Sequence, residues 1–312
     1  MSMPMEAAPR PAGATRFRRL WDSARMYPYL SVLPAFITVV GIHLYPIAYA
    51  IYLSLHRYRL VDARRPFVGL RNFTDVINSY YFADSLIVTL KYTGYMVLGV
   101  VLYGLVVALY LNGEGRLQRF LRTVILLPWA IPIVMTGVIW KWIFNGNYGL
   151  LNYLLNRAGL IDQYISWLAH PDFALWSLLA ASIWKRGPLA VIMCLAALQL
   201  IPHELYEAVA IDGGGFWARL RHVILPFLRP TLFLIVLLHT AEGLMAFDLI
   251  YVMTGGGPAD ATSLLAWFAY AETFRFLNLG KGAVLGLIIA ALTGLFTLLF
   301  IAVFRPGREI YD

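Results

Sequence analysis

Five ionisable side chains stand where charge is expensive. His239, Glu242 and Asp248 fall in one long apolar stretch, and Lys185 and Arg186 fall in another. Charges persist inside such stretches when they pair with one another or face a water-filled cavity. Two kinds of chemistry follow. The acids and bases can neutralise each other across two elements. Alternatively they line a path where carboxylates hydrogen-bond a polar solute, with Trp184, Phe247 and Tyr251 covering its apolar faces and Met245 adding contacts. His239 and Glu242 are three residues apart and share a helical face; an unbroken helix would put Asp248 about 120° round from Glu242.

No motif for bond-breaking chemistry accompanies them. The runs Gly213-Gly214-Gly215 and Gly255-Gly256-Gly257 have no following Lys-Ser/Thr, so neither is a phosphate loop. His203-Glu204 does not continue into H-E-x-x-H, and no G-x-S-x-G elbow occurs. Uphill work by such a chain draws on a partner or on an ion gradient. An ion-coupled secondary transporter, with Glu242, Asp248 and His239 as proton or ion sites, fits the second case.

The elements that must position these residues are membrane spans. Of 312 residues, 60% are hydrophobic and 13% charged, and the charges collect between long apolar runs. Six runs suffice to cross about 30 Å of hydrocarbon: 29–55, 85–111, 121–144, 173–198, 230–253 and 281–304. They predict an all-α membrane protein with one domain at 29–304, preceded by a cytoplasmic segment 1–28 and followed by a tail 305–312. The basic N-terminus leads into an apolar run too long for a signal-peptide core, so that run is expected to remain as the first span. With both termini inside, the inner segments carry thirteen Arg and Lys and the outer loops seven. That asymmetry favours cytoplasmic termini. The net charge of +8 is scattered over short loops in a membrane chain of this kind, which argues against a nucleic-acid partner. Trp140-Lys141-Trp142, with Phe144 behind, suits an interfacial aromatic belt. The prolines at 34, 46, 128 and 132 are expected to kink the first and third spans. Cys194, the single cysteine, lies in an apolar run and has no intrachain partner for a disulfide.

The inner segment 199–229 is the longest. Glu207–Ile211 favours a short helix after Pro202, and Asp212-Gly213-Gly214 breaks it. A second helical stretch, Phe216–Leu225, is expected to end at Pro226. By itself this reads as an amphipathic hairpin on the membrane surface.

The spacing, however, resembles the coupling-loop motif of ATP-binding-cassette importer permeases: E-A-A, three residues, G, nine residues, I, one residue, L-P. Glu207, Ala208, Gly213, Leu225 and Pro226 match, while Val209 stands for the second Ala and Val223 for the Ile. Phe67–Phe73, Tyr148–Asn152, Trp184-Lys185 with Pro188, and Phe247–Pro258 are similar to stretches of the sugar-transporting branch, so the resemblance spans about residues 29–304. It implies a type I importer permease fold in a bacterial inner membrane. It also implies ABC ATPase partners that bind the ATP and Mg²⁺, with no cofactor on this chain. A second, non-identical permease and an extracytoplasmic solute-binding protein would complete the assembly. In that family the first helix of the loop inserts into the ATPase, and an acidic residue and a Phe-Asp pair commonly stand where Glu242 and Phe247-Asp248 fall.

Overall fold

The structure, a computed structural model, describes residues 27–304. The N-terminal segment through residue 26 and the tail 305–312 lie outside the described residues, and so does what was expected of them. The chain divides into two compact units, residues 1–52 and 53–312.

Helix α1, Tyr27–Ser54, accounts for the described part of the first unit and carries Pro34 and Pro46 without ending. The Thr38 hydroxyl donates to the Pro34 carbonyl at 2.8 Å, one turn back.

The second unit is a helical bundle. Its elements are α2 (Arg71–Ile77), α3 (Tyr80–Leu111), α4 (Arg116–Val124), α5 (Leu127–Ala130), α6 (Ile133–Ile143), α7 (Leu150–Arg157) and α8 (Pro171–Gln199). After these come α9 (His203–Ile211), α10 (Phe216–Leu244), α11 (Asp248–Met253), α12 (Leu265–Tyr270, extended by the wider turn Ala271–Arg275) and α13 (Leu279–Phe304). Among the described residues, five helices are long and apolar enough to cross a membrane: α1, α3, α8, α10 and α13. The sixth crossing exists only if Arg116–Ala130 and Ile133–Ile143 count as one span, and these meet at 99°.

The run expected at 121–144, with a kink at its prolines, is broken outright rather than merely kinked. Ile131 is extended, with φ −71° and ψ 132°, because the ring of Pro132 excludes the helical region for the residue before it. The run expected at 230–253 is corrected at both ends. Helix α10 begins at Phe216, passes through Pro226 and Pro230, and stops at Leu244. Pro226 does not terminate it, because residues Leu220–Ile224 are wound as a π-helix, with Leu225 N–H donating to Leu220 C=O. The wider turn accommodates a ring that would strike the carbonyl four residues back.

The core is built on α3 against α8. Small residues let the backbones approach: a Cβ on Gly104 would stand 2.7 Å from the Ala190 Cβ, and one on Gly187 would meet the Tyr103 ring. The buried hydroxyls of Tyr92 and Ser182 bond each other across this interface at 2.6 Å. Helix α10 closes on both, with Gly243 against Thr93. A smaller cluster joins α2, α12 and α13 through Val76, Leu265, Phe268, Val284 and Leu285.

Candidate functional site: a charged cavity at two broken helices and an exposed capped hairpin

Both helix breaks meet against α8. The break at Ile131–Pro132 strips α5 of backbone donors, since Pro132 has no N–H for the carbonyl of Pro128. Lys185 of α8 takes over: its ammonium donates to Pro128 C=O at 3.2 Å and to Trp129 C=O at 2.6 Å. A cation placed on the last carbonyls of a helical segment is favourable in the same way as a C-terminal cap. Lys185 is thereby committed to the backbone and does not pair with Glu242.

Arg186, next along α8, makes the pair instead. Its Nε donates to Glu242 Oε2 at 2.9 Å, and His239 Nδ1 lies 3.0 Å from the same oxygen. A carboxylate only accepts, so His239 carries a proton on Nδ1. Both bonds land on Oε2, leaving the other oxygen of Glu242 available. Arg186 Nη1 and His239 Nε2 are buried without a hydrogen-bond partner, so the network is incompletely satisfied.

These groups line a cavity of about 280 Å³, with Trp129, Ile133, Leu189, Met245, Ala246 and Asp248 completing its wall. The side chain of Glu242 is 40% exposed, that of Arg186 only 11%. The expected pairing is thus present between Arg186 and Glu242, and the paired carboxylate also borders the cavity. Irregular backbone within a membrane domain is tolerated where it is enclosed in protein or borders a cavity, and here both breaks border it.

The remaining candidates divide. Asp248 is the first residue of α11 and reaches the cavity because the chain breaks at Met245–Phe247; the 120° offset expected from a continuous helix does not apply. Phe247 and Tyr251 belong to an adjoining aromatic cluster. Phe247 stands 5.4 Å from Tyr251, 5.0 Å from Tyr270 and, stacked, 6.3 Å from Trp267. Trp184 packs edge-on against Trp140 at 5.8 Å and is not part of the cavity wall. Trp129 and Ile133 were not singled out by sequence; the prolines beside them were the available signal.

The 199–229 segment forms a hairpin. Helix α9 has no buried residue, and Glu207, Ala208 and Gly213 are exposed. Its end is a Schellman cap: Gly213 adopts φ +74°, Gly214 N–H bonds Val209 C=O at 2.8 Å, and Gly213 N–H bonds Ala210 C=O at 3.1 Å. A Cβ at Gly213 would meet nothing within 4 Å, so there only the left-handed φ disfavours a side chain. At Gly214 a Cβ would come within 2.5 Å of Val209 Cγ1 and 2.8 Å of Val209 O. Ile211 (86% exposed) and Trp217 (76% exposed) give the hairpin an apolar outer face. Its inner side is anchored by buried Val223 and Ile224, the residues just before Leu225 and Pro226. The phenol of Tyr206 is pushed up in pKa by burial, opposed by the charge of Arg219.

Residues 100–309 match the family described as binding-protein-dependent transport system inner membrane component. The trehalose/maltose transport system permease protein MalF of Thermococcus litoralis is 34% identical over 284 residues, covering 90% of this chain and 94% of that protein. The sulfoquinovosyl glycerol transport system permease protein SmoG of Agrobacterium fabrum is 34% identical over 292 residues, covering 93% and 94%. In fold the chain is similar to a chain of the bacterial alginate ABC transporter crystallised with its alginate pentasaccharide-bound periplasmic protein, with a TM-score of 0.79 at 21% identity, covering 92% of this chain and 97% of that one. The chain belongs to the family of binding-protein-dependent transport system inner membrane components, the multi-pass permease subunits of ABC importers.

Proposed function

We propose that this subunit passes a sugar or sugar-like solute through the cavity at Glu242, driven by ATPase subunits that hold ATP and Mg²⁺ and dock on the α9 hairpin. The observation that carries the proposed pathway is Glu242 itself, a cavity-lining residue bonded through one oxygen, with 40% of its side chain exposed. Sugar hydroxyls are recognised by such half-committed carboxylates, with apolar and aromatic groups, here Trp129 and Ile133, against the ring faces. Lys185 and Asp248 complete the polar wall. Phe247 and Tyr251 continue it as an aromatic surface, and Trp184 on α8 packs against Trp140 of α6.

Glu207, Ala208 and Gly213 present the docking helix, while Leu225 and Pro226 tie its motion to α10 and so to Glu242, which the same helix carries. The similar alginate transporter, crystallised with a periplasmic protein, supports an extracytoplasmic solute-binding protein as a partner, and we add a second, non-identical permease on the sequence resemblance alone. The orientation we favour has 1–28, 199–229 and 305–312 in the cytoplasm of a bacterial cell and the 57–71 loop outside.

The test is reconstitution. The chain co-expressed with its neighbouring ATPase and permease should co-purify with both and take up labelled sugar into proteoliposomes only with ATP inside the compartment that holds the ATPase. Purification alone, with uptake driven by a proton or sodium gradient, would overturn the reading.

A further inference from the structure

A second polar cavity, of about 480 Å³, lies away from Glu242. It is lined by Arg57, Arg59, Arg71 and Lys281, with Asp75 as its one acidic wall residue. Its frame is fixed by the backbone. Leu60 N–H bonds Leu277 C=O at 2.9 Å and Gly280 N–H bonds Tyr58 C=O at 3.2 Å, which ties the 55–70 loop to the start of α13. Asn72 clamps the other side, its amide donating to Ser54 C=O at 2.7 Å and His56 C=O at 2.8 Å.

The charges in this frame are under-compensated. Asp75 reaches Lys281 only at 3.8 Å, and Asp62 reaches Arg57 only at 3.6 Å. Arg59 Nε is out of water and donates to nothing. The third nearby carboxyl, Glu272, is pushed up in pKa by burial, against the charges of Lys281 and Arg59, which weakens its value as a counter-ion. Three guanidinium forks and an ammonium around one cavity match the oxygens of a phosphate group.

Position indicates which phosphates are at hand. Lys281 sits in the first turn of α13, whose apolar run Leu279–Val303 is a membrane span, so the cavity opens where hydrocarbon gives way to headgroups. Phe67 and Leu70, beside the lining residues Pro66, Val68 and Arg71, are 68% and 65% exposed, as suits an interfacial rim.

We infer that the cavity formed by Arg57, Arg59, Arg71 and Lys281 binds a phosphate group, as the headgroup of an anionic lipid or as a soluble phosphate. The site shares no lining residue with the cavity at Glu242.

The test uses the purified full chain. Native mass spectrometry after detergent exchange measures retention of phosphatidylglycerol against phosphatidylcholine, and thermal shift measures the response to inorganic phosphate. With each basic group near a membrane surface worth about fivefold, Arg59→Gln with Arg71→Gln should lower retention on the order of tenfold or more. Arg116→Gln with Arg119→Gln, on α4, is the control and should leave it unchanged. Selective loss of phosphatidylglycerol identifies the lipid source. Loss of a phosphate-induced stabilisation identifies the soluble one. The single variant Arg57→Gln should show a smaller loss of the same kind, which separates binding from misfolding. Unchanged retention and unchanged phosphate response in all variants would overturn the inference. If attachment of the solute-binding protein fell instead, the face would belong to that protein and the inference would likewise fail.

Discussion

Glu242 Oε2 accepts from Arg186 Nε at 2.9 Å while Glu242 also lines a cavity, so one side chain is both a member of an ion pair and part of a cavity wall. The arrangement depends on Lys185, because it is Lys185 that occupies the carbonyls freed at Pro132 and leaves Arg186 alone opposite Glu242. Neighbouring cations on α8 are thus sorted by a backbone break in a different element.

Orientation is testable with cysteines. The native Cys194 is buried, so it leaves a quiet background for labelling in the folded protein. Replacements at 115 and 308 should resist an impermeant thiol reagent in intact cells, and one at 65 should react. The reverse pattern would invert the proposed topology and move the α9 hairpin to the wrong side for an ATPase.

The two glycines after α9 should respond differently to substitution. Gly213→Ala meets no obstacle but must hold φ +74°, at a cost of about 1–2 kcal/mol. Gly214→Ala must displace the Val209 carbonyl that accepts the capping bond, which disturbs the cap itself. Co-purification of the ATPase should therefore fall more for Gly214→Ala than for Gly213→Ala, with membrane content near normal for both. Glu207→Lys, on the exposed face, should weaken attachment without altering thermal stability. Normal transport in all three variants would remove the hairpin from coupling.

Asn152, in the stretch 148–152, is a structural clamp and its loss should appear as instability. Its amide donates to Ile165 C=O at 2.9 Å, and its oxygen accepts from Ile165 N–H at 3.2 Å and Trp167 Nε1 at 2.9 Å. Asn152→Ala leaves these buried groups unpaired, at about 1–3 kcal/mol. A lowered melting temperature in detergent, with normal uptake per folded molecule, is the expected result. Unchanged melting would mean that the loop holds without it.

Asn152 and Asn72 also show what sequence could convey. Both stand in stretches similar to the sugar-permease branch, yet neither stretch discloses that its asparagine ties a loop to the bundle. Spans were legible because bilayer crossing demands long apolar runs, and the break at Pro132 had its proline as a marker. The break at Met245–Phe247 has neither Gly nor Pro, since tertiary packing makes it, and so Asp248 was assigned to the wrong angular position. Pro226 was misread in the opposite sense: a proline that ordinarily ends a helix is absorbed by the π-wound turn before it. The choice of Arg186 over Lys185 as the partner of Glu242 depends on where α5 ends in space, which no local pattern along α8 encodes.

The remaining prediction separates pairing from transport at Glu242. Removing one member of a buried pair costs about 3–5 kcal/mol, but the Glu242 side chain is 40% exposed and that of Arg186 only 11%. The loss is therefore asymmetric. Glu242→Leu strands a nearly buried guanidinium whose Nη1 already lacks a partner, whereas Arg186→Leu leaves Glu242 with His239 and with water. Assembled complex should fall severalfold in Glu242→Leu and less in Arg186→Leu, and the double variant should recover most of it. Glu242→Gln keeps an acceptor for Arg186 and His239 and should assemble close to normally, with basal ATPase activity retained. Uptake decides the role. If Glu242 touches solute, both Glu242→Gln and the assembled double variant stay defective in uptake and in hydrolysis stimulated by the binding protein. If the double variant recovers uptake along with assembly, Glu242 is an ion-pair member only, and the solute path must be sought along the Phe247–Tyr251 aromatic surface instead.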